Sequence, residues 1–160
     1  KDPDKRSLRM FPVFQWERTL QAFIRRSSSR SVNMLVAANV IFGGEGVIQL
    51  WAPVVVAVMH GLNVAVAIAA GMFLAVAVEN WLKPLFHRAR PWPRDDEDGI
   101  PSGDCMGVAV WSPVLLGWWA SVPIGLVAWA RMARGAHYPL DVLVGAGFGL
   151  LWGVGIVWLR

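Results

Sequence analysis

Five polar residues in the second half of the sequence are of the types that phosphoryl transfer requires. Lys83, Arg90 and Arg131 are cations, which are needed around the three non-bridging oxygens of a phosphoryl group. Arginine adds bidentate contacts that lysine does not make. His137 and Asp141 are four residues apart, so on a helix they share one face, where a carboxylate fixes the imidazole tautomer and strengthens it as a nucleophile. These residues predict a phosphate site with a histidine nucleophile.

The segment IPSGDCMG, residues 100–107, supplies a second set of candidate phosphate contacts. Ser102 and Gly103 come just before an apolar run that is predicted to be helical. A hydroxyl and backbone N–H groups therefore lie at the positive end of a helix dipole. The next residue, Asp104, is an acid that would repel a phosphate. The segment predicts a phosphate-binding turn in which the role of Asp104 needs explanation.

The order and spacing of these residues resemble the motifs of the type 2 phosphatidic acid phosphatases. These lipid phosphate phosphatases share a superfamily with vanadium haloperoxidases and glucose-6-phosphatase. The matching residues are Lys83, Arg90 and Pro91 for K-x6-R-P, then Pro101, Ser102 and Gly103 for P-S-G-H up to its last position, then Arg131, His137 and Asp141 for S-R-x5-H-x3-D. The resemblance implies that a phosphohistidine forms on His137 and is hydrolysed by water, without a metal or other cofactor.

Two positions depart from these motifs: Asp104 replaces the second-motif histidine, and Ala130 replaces the serine that opens the third motif. In the family, that histidine is thought to donate a proton to the leaving oxygen. An ordinary aspartate titrates at about pH 3.9 and a histidine at about 6.5, so Asp104 acts as a general acid only where its surroundings favour protonation. Alternatively, Asp104 caps the helix predicted to begin at Cys105. The two roles can coexist.

Some candidate site residues also have a purely structural interpretation. Lys83 can anchor a helix end among lipid headgroups and pair with Glu79, four residues earlier. His137 and Asp141 can belong to a capped helix start, because Pro139 between them suits the first turn of a helix. These interpretations remain open at the level of sequence.

Other reactive or charged residues fall outside the motifs. Arg88 and Arg134 hold no motif position and are predicted to lie among lipid headgroups. Cys105 begins an apolar helix without a motif partner and is not expected to be a nucleophile. The acidic run at 95–98 is predicted to be a solvated loop, or a lid over the site, rather than a cation site.

Composition places these residues in a membrane protein. Of 160 residues, 56% are hydrophobic and 16% are charged, and there are ten tryptophans, which favour bilayer interfaces. Glu45 is the only formal charge in 31–78, and 105–130 and 142–159 have none. Such runs predict membrane helices, because a soluble bundle would need polar helix faces. The net charge of +4 lies largely in the first thirty residues and beside apolar runs, which favours lipid headgroups or a phosphate ligand over nucleic acid.

The apolar runs divide the chain into predicted helices. Within a basic N-terminal segment, 1–30, the pattern at 11–24 predicts an amphipathic helix that lies in the membrane interface. Apolar helices are predicted at 31–42, 47–59, 64–82, 105–119, 122–132 and 140–159. If consecutive helices alternate in direction, the polar segments between them that carry the motifs (79–94, 95–104 and 131–141) emerge on one membrane face.

The sequence therefore predicts an all-α, multi-pass integral membrane protein with about five or six membrane-embedded helices in residues 31–160. Its predicted activity is hydrolysis of a phosphomonoester or diphosphate lipid, such as phosphatidate, a sphingoid phosphate or an isoprenoid diphosphate. A headgroup phosphotransferase and a phosphate-binding pseudoenzyme are the alternatives. The predicted partners are this lipid and the bilayer, not nucleic acid. The predicted site comprises His137, Asp141 and Asp104 for catalysis, and Lys83, Arg90, Ser102, Gly103 and Arg131 for phosphate.

Overall fold

The computed structural model describes residues 12–28, 41, 47–91 and 99–159. Its helices are α1 (Gln15–Ser27), α2 (Val47–His60), α3 (Leu62–Phe86), α4 (Gly103–Leu116), α5 (Ser121–Ala133) and α6 (Pro139–Trp158), with a 3₁₀ turn at Gly117–Ala120. No strand occurs in these ranges, so the all-α prediction is confirmed. The helix predicted at 31–42 lies outside the described residues except for Ile41, and so does the acidic run at 95–98.

The N-terminal helix α1 is amphipathic, as its sequence pattern predicts. One face, formed by Glu17, Gln21 and Ile24, is buried against α5 and the start of α6. A neighbouring face carries exposed aromatic side chains, among them Trp16 and Phe23. Exposed aromatic residues on a helix beside membrane-spanning helices are typical of a helix that lies in the bilayer interface. The interfacial position of α1 therefore stays a prediction that its surface supports.

Among the residues that the structure describes, three segments are long and apolar enough to cross a membrane: α3 with 25 residues, Gly103–Ala133 with 31 and α6 with 20. At about 1.5 Å per residue, α3 and α6 are roughly 38 Å and 30 Å long, which matches a bilayer core. The shorter helix α2 forms a hairpin with α3 around Gly61, whose φ of 89° suits glycine. The prediction of a multi-pass membrane protein is confirmed.

The segment Gly103–Ala133 is a hairpin and not one continuous span. A straight helix of 31 residues would place its ends roughly 45 Å apart. However, Asp104 Oδ2 near its start lies 2.7 Å from Arg131 Nη1 near its end. The chain reverses at the 3₁₀ turn, where Gly117 has a φ of 54° and Trp118 is almost fully exposed. As a result, α5 returns the chain to the end of the bundle where α3 ends and where α4 and α6 begin.

Three glycines spaced four residues apart bring α6 into direct contact with α4. A Cβ atom at Gly145, Gly149 or Gly153 would lie 2.3 Å, 2.2 Å or 2.6 Å from the carbonyl oxygens of Ser102, Met106 and Val110, respectively. Small residues at this spacing let the backbones of membrane helices approach closely, where dispersion forces hold them together. The contact fixes the start of α6 beside the start of α4.

Replacing Gly149 by alanine tests this packing. The new methyl group would lie 2.2 Å from the carbonyl oxygen of Met106, so the helices must shift. We expect the free energy of unfolding to fall by about 1–3 kcal/mol, measured by thermal or denaturant unfolding in detergent. Gly147→Ala is the matched control, because a Cβ there meets nothing within 4 Å and alanine favours a helix. Equal stability of the two variants would contradict the close contact.

Candidate active site

The motif residues meet at one end of the helix bundle, as the alternating helix directions predict. Lys83 lies near the end of α3, Asp104 in the first turn of α4 and Arg131 near the end of α5. His137 precedes α6, and Asp141 lies in its first turn. Direct contacts run from Asp104 to Arg131 at 2.7 Å and from Arg131 to His137 at 3.2 Å. Residues far apart in sequence therefore form one cluster.

The imidazole of His137 is buried and held in one tautomer. Its Nδ1 lies 2.7 Å from the carbonyl oxygen of Gly99. Because a carbonyl only accepts hydrogen bonds, Nδ1 carries the proton and Nε2 of the neutral ring keeps its lone pair. Arg131 Nη2 lies 3.2 Å from Nε2 and donates to it. The nitrogen that is predicted to be the nucleophile thus points towards a cation.

The relation between His137 and Asp141 differs from the one that their spacing predicts. His137 lies two residues before α6 begins, so the two side chains do not share a helix face. The distance from Nδ1 to Asp141 Oδ2 is 3.7 Å, which is too long for a hydrogen bond. The Gly99 carbonyl therefore fixes the tautomer. Asp141 accepts from Tyr138 N at 2.8 Å at the start of α6, and Pro139 is the first residue of that helix, as the structural interpretation expects.

Burial and charge both keep His137 neutral. Burial lowers the pKa of His137 because the imidazolium form loses contact with water, and the positive charges of Arg131 and Arg90 lower it further. Asp141 opposes these effects. Burial is the dominant cause, so the ring is a free base at neutral pH.

Asp104 binds Arg131 and does not cap α4. The helix begins at Gly103 with Ser102 as its N-cap, so Asp104 lies inside the first turn. The prediction that Asp104 caps a helix beginning at Cys105 is therefore wrong. An acid in the first turn still interacts favourably with the helix dipole. Its partly exposed carboxylate forms an ion pair with Arg131 Nη1 at 2.7 Å, and Arg131 in turn contacts His137.

Lys83 pairs with Glu79 at 2.6 Å, as its structural interpretation predicts, and this pair lies against α4. A Cβ at Gly103 would lie 1.8 Å from Glu79 Oε2, so the Glu79 carboxylate packs on the first residue of α4. A larger residue there would displace the Glu79 carboxylate. Lys83 binds Glu79, and Glu79 packs on the N-terminus of α4. This position is compatible with the expected phosphate role of Lys83.

Ser102 also forms a structural hydrogen bond through its backbone. Its N–H donates to the carbonyl oxygen of Asp141 at 3.0 Å and so links α4 to α6. The hydroxyl group is fully buried, and within the described ranges it has no hydrogen-bond partner. Of the predicted phosphate contacts in this turn, the Ser102 hydroxyl and the Gly103 N–H therefore remain candidates.

The structure overturns the prediction that Arg88 lies among lipid headgroups. Arg88 is fully buried, and its guanidinium binds both Asp141 and Glu17. It also lies over the ring of Tyr138, with Cζ 5.6 Å from the ring centroid. Arg90, two residues later, is half-buried and near enough to His137 to lower its pKa. Alternate residues of this short segment therefore lie in the interior of the protein and near His137.

Glu17 is the site residue that the sequence analysis missed. It is fully buried and accepts hydrogen bonds from Phe14 N at 3.0 Å and Leu140 N at 3.1 Å. Its position seven residues before the buried Ile24 places it on the inward face of α1. An acid on the inward face of an amphipathic helix is the sequence signal that identifies it.

The remaining candidates contribute little to the site. Cys105 is fully buried in the first turn of α4, and Arg134 is exposed just after α5. Across 12–28, 47–91 and 99–159, no three His, Cys, Asp or Glu side chains lie close enough together to hold a metal ion.

Because the pKa of His137 is lowered only in the folded state, stability depends on pH. Below about pH 6.5 the unfolded chain binds a proton at His137 that the folded protein does not. The free energy of unfolding therefore decreases as the pH is lowered. Thermal unfolding in detergent between about pH 7.5 and 5.5 measures this loss. His137→Asn keeps an N–H donor towards Gly99 without a titrating ring, and should lose less stability. An unchanged pH dependence in that variant would contradict the assignment.

A family model and a solved structure are similar to this chain. Residues 60–160, which include α3 to α6, match a family model described as the PAP2 superfamily. No curated protein sequence matches the chain. The fold is similar to a crystal structure described as the first transmembrane PAP2 type phosphatidylglycerolphosphate phosphatase from Bacillus subtilis, with a TM-score of 0.73, 16% identity, and coverage of 91% of this chain and 87% of that chain. Since the family model matches more than half of the sequence, the chain belongs to the PAP2 superfamily.

Proposed function

We propose that this protein is a membrane phosphatase that hydrolyses a phosphomonoester or diphosphate lipid through a phosphohistidine on His137. The observation that carries the proposal is the free-base Nε2 of His137, which lies 3.2 Å from Arg131 Nη2 at the polar end of a membrane bundle. Membership of the PAP2 superfamily supports the reaction class. The structurally similar protein from Bacillus subtilis is named a phosphatidylglycerolphosphate phosphatase, which supports a lipid substrate.

In the first step, Nε2 of His137 attacks the phosphorus atom. A nitrogen–phosphorus bond forms, and the bond from phosphorus to the leaving oxygen breaks. Arg131, Arg90 and Lys83 balance the charge on the non-bridging oxygens, which is the main requirement of phosphoryl transfer. Arg131 must turn from Nε2 to the phosphate for attack to occur. The Gly99 carbonyl keeps the proton on Nδ1 while Nε2 reacts.

Asp104 is the proposed general acid. Without substrate, its carboxylate is paired with Arg131. A phosphate that takes over Arg131 removes that counter-charge and brings a second anion close, and both changes favour protonation of Asp104. The proton then passes to the leaving oxygen. In the second step, water attacks the phosphohistidine, its proton returns to Asp104, and inorganic phosphate and free His137 result.

Release of inorganic phosphate in detergent–lipid micelles tests the reaction class. We expect the intact protein to release phosphate from at least one of phosphatidate, a sphingoid phosphate and an isoprenoid diphosphate. His137→Ala should abolish turnover, because no other group forms the covalent intermediate. The control is His60→Gln, at the opposite end of the bundle, which should retain activity.

Two results would contradict this function. Phosphate that appears on a second alcohol and not in solution would indicate a phosphotransferase. Unchanged turnover in His137→Ala would exclude the phosphohistidine, and absence of turnover on all three lipid classes would favour a binding protein.

Substitution of Asp104 tests the acid separately. In Asp104→Asn the carboxamide cannot donate a proton to the leaving oxygen, so we expect kcat for a phosphomonoester to fall by roughly 10²–10⁴-fold. A diphosphate should suffer less, because its leaving group needs less protonation. Asp104→His restores a group that can act as an acid near neutral pH and should recover activity. Full activity of the Asn variant on a phosphomonoester would remove Asp104 from the mechanism.

A further inference from the structure

Two fully buried charged residues, Glu17 and Arg88, have no part in the proposed reaction but lie directly behind its nucleophile. A buried charge is costly unless it is paired and hydrogen-bonded. Here, Arg88 Nη1 binds Asp141 Oδ1, and Arg88 Nη2 binds Glu17 Oε2. The three side chains form one closed cluster between α1, the segment after α3, and α6.

Arg88 is linked to His137 indirectly, once through its side chain and once through its backbone. Its side chain binds Asp141, whose other carboxylate oxygen lies 3.7 Å from Nδ1 of His137. Its backbone carbonyl accepts from Gly99 N at 2.8 Å, and the Gly99 carbonyl in turn accepts from Nδ1 at 2.7 Å. Arg88 therefore contacts both residues, Asp141 and Gly99, whose oxygen atoms face Nδ1.

Glu17 connects this arrangement to the N-terminal helix and sets its charge. Its Oε1 accepts from Leu140 N at 3.1 Å in the first turn of α6. Two carboxylates and one guanidinium leave the cluster with one net negative charge behind the imidazole. Without Glu17, the charges of Arg88 and Asp141 would cancel.

We propose that Glu17 and Arg88 are positioning residues for the nucleophile, acting through Asp141 and Gly99. They fix the imidazole and keep a negative charge behind it, which stabilises the cationic ring that forms when Nε2 is phosphorylated. This inference rests on the proposed function. It makes α1 a part of the active site, although α1 lies outside the range 60–160 that matches the family model.

Glu17→Gln is the main test, because the side chain keeps its shape and its acceptor for Leu140 N. We expect kcat to fall by roughly tenfold to a hundredfold with KM changed less than about twofold, because substrate contacts stay intact. Arg88→Lys should lower kcat similarly, since an ammonium group cannot bridge two carboxylates in the same plane. Arg26→Gln is the matched control: it removes an exposed charge from the same helix and should leave kcat unchanged.

The pH profile separates positioning from a general loss of structure. The charged groups around His137 are Asp141, Arg131 and Arg90, with Asp104, Arg88 and Glu17 one contact further out. Removing the negative charge of Glu17 destabilises the imidazolium, so it lowers the pKa of His137 and moves the acid limb of kcat/KM to lower pH. Loosened packing would instead hydrate the ring and move that limb to higher pH.

An unchanged kcat in Glu17→Gln, or an acid limb that moves to higher pH, would overturn the inference. The same preparation of the unsubstituted protein must release phosphate, and His137→Ala must not. Failure of those two measurements would contradict the proposed function. Their success together with a normal Glu17→Gln enzyme would contradict only the positioning role.

Discussion

The arrangement of the site depends on the ion pairs that the buried guanidinium of Arg88 forms. A charge without contact to water must be neutralised, so the segments that carry Asp141 and Glu17 are fixed around it. This requirement joins the N-terminal helix, the segment after α3 and the start of α6. The backbone of Arg88 also holds Gly99, whose carbonyl orients His137. One residue thus contacts both Asp141 and Gly99, the residues that lie next to Nδ1 of the imidazole.

The packing of the transmembrane helices brings the rest of the site to the same place. Lipid chains are as apolar as the helix side chains, so helices associate in a membrane through close contact and polar bonds, not through the hydrophobic effect. The glycines that face α4 allow that contact, and the bond from Ser102 N to the Asp141 carbonyl ends it at the polar face. The hairpin of α4 and α5 then returns Arg131 to the level of Asp104.

Charge in the site is balanced by ion pairs. Arg131 is paired with Asp104, and Lys83 with Glu79. In the proposed reaction, a phosphate competes with these carboxylates for the cations, so binding of substrate and release of Asp104 are one event. This coupling offers a physical reason for an aspartate at a position where the related motif has histidine.

The sequence alone determined the class of the protein, the helices described in 47–159 and the convergence of the motifs, because apolar runs and alternating helix direction follow from chain order. It also predicted His137 and Arg131 as site residues by residue type and spacing, and the structure brings them into contact. Only the tertiary structure decided the roles of Arg88 and Glu17, and the partner of the imidazole. Arg88 looks like a surface charge in its local pattern, and the pattern of α1 places Glu17 on the inward face without identifying its partner. Their burial depends on partners 53 and 71 residues away in the chain, and no local spacing encodes such contacts.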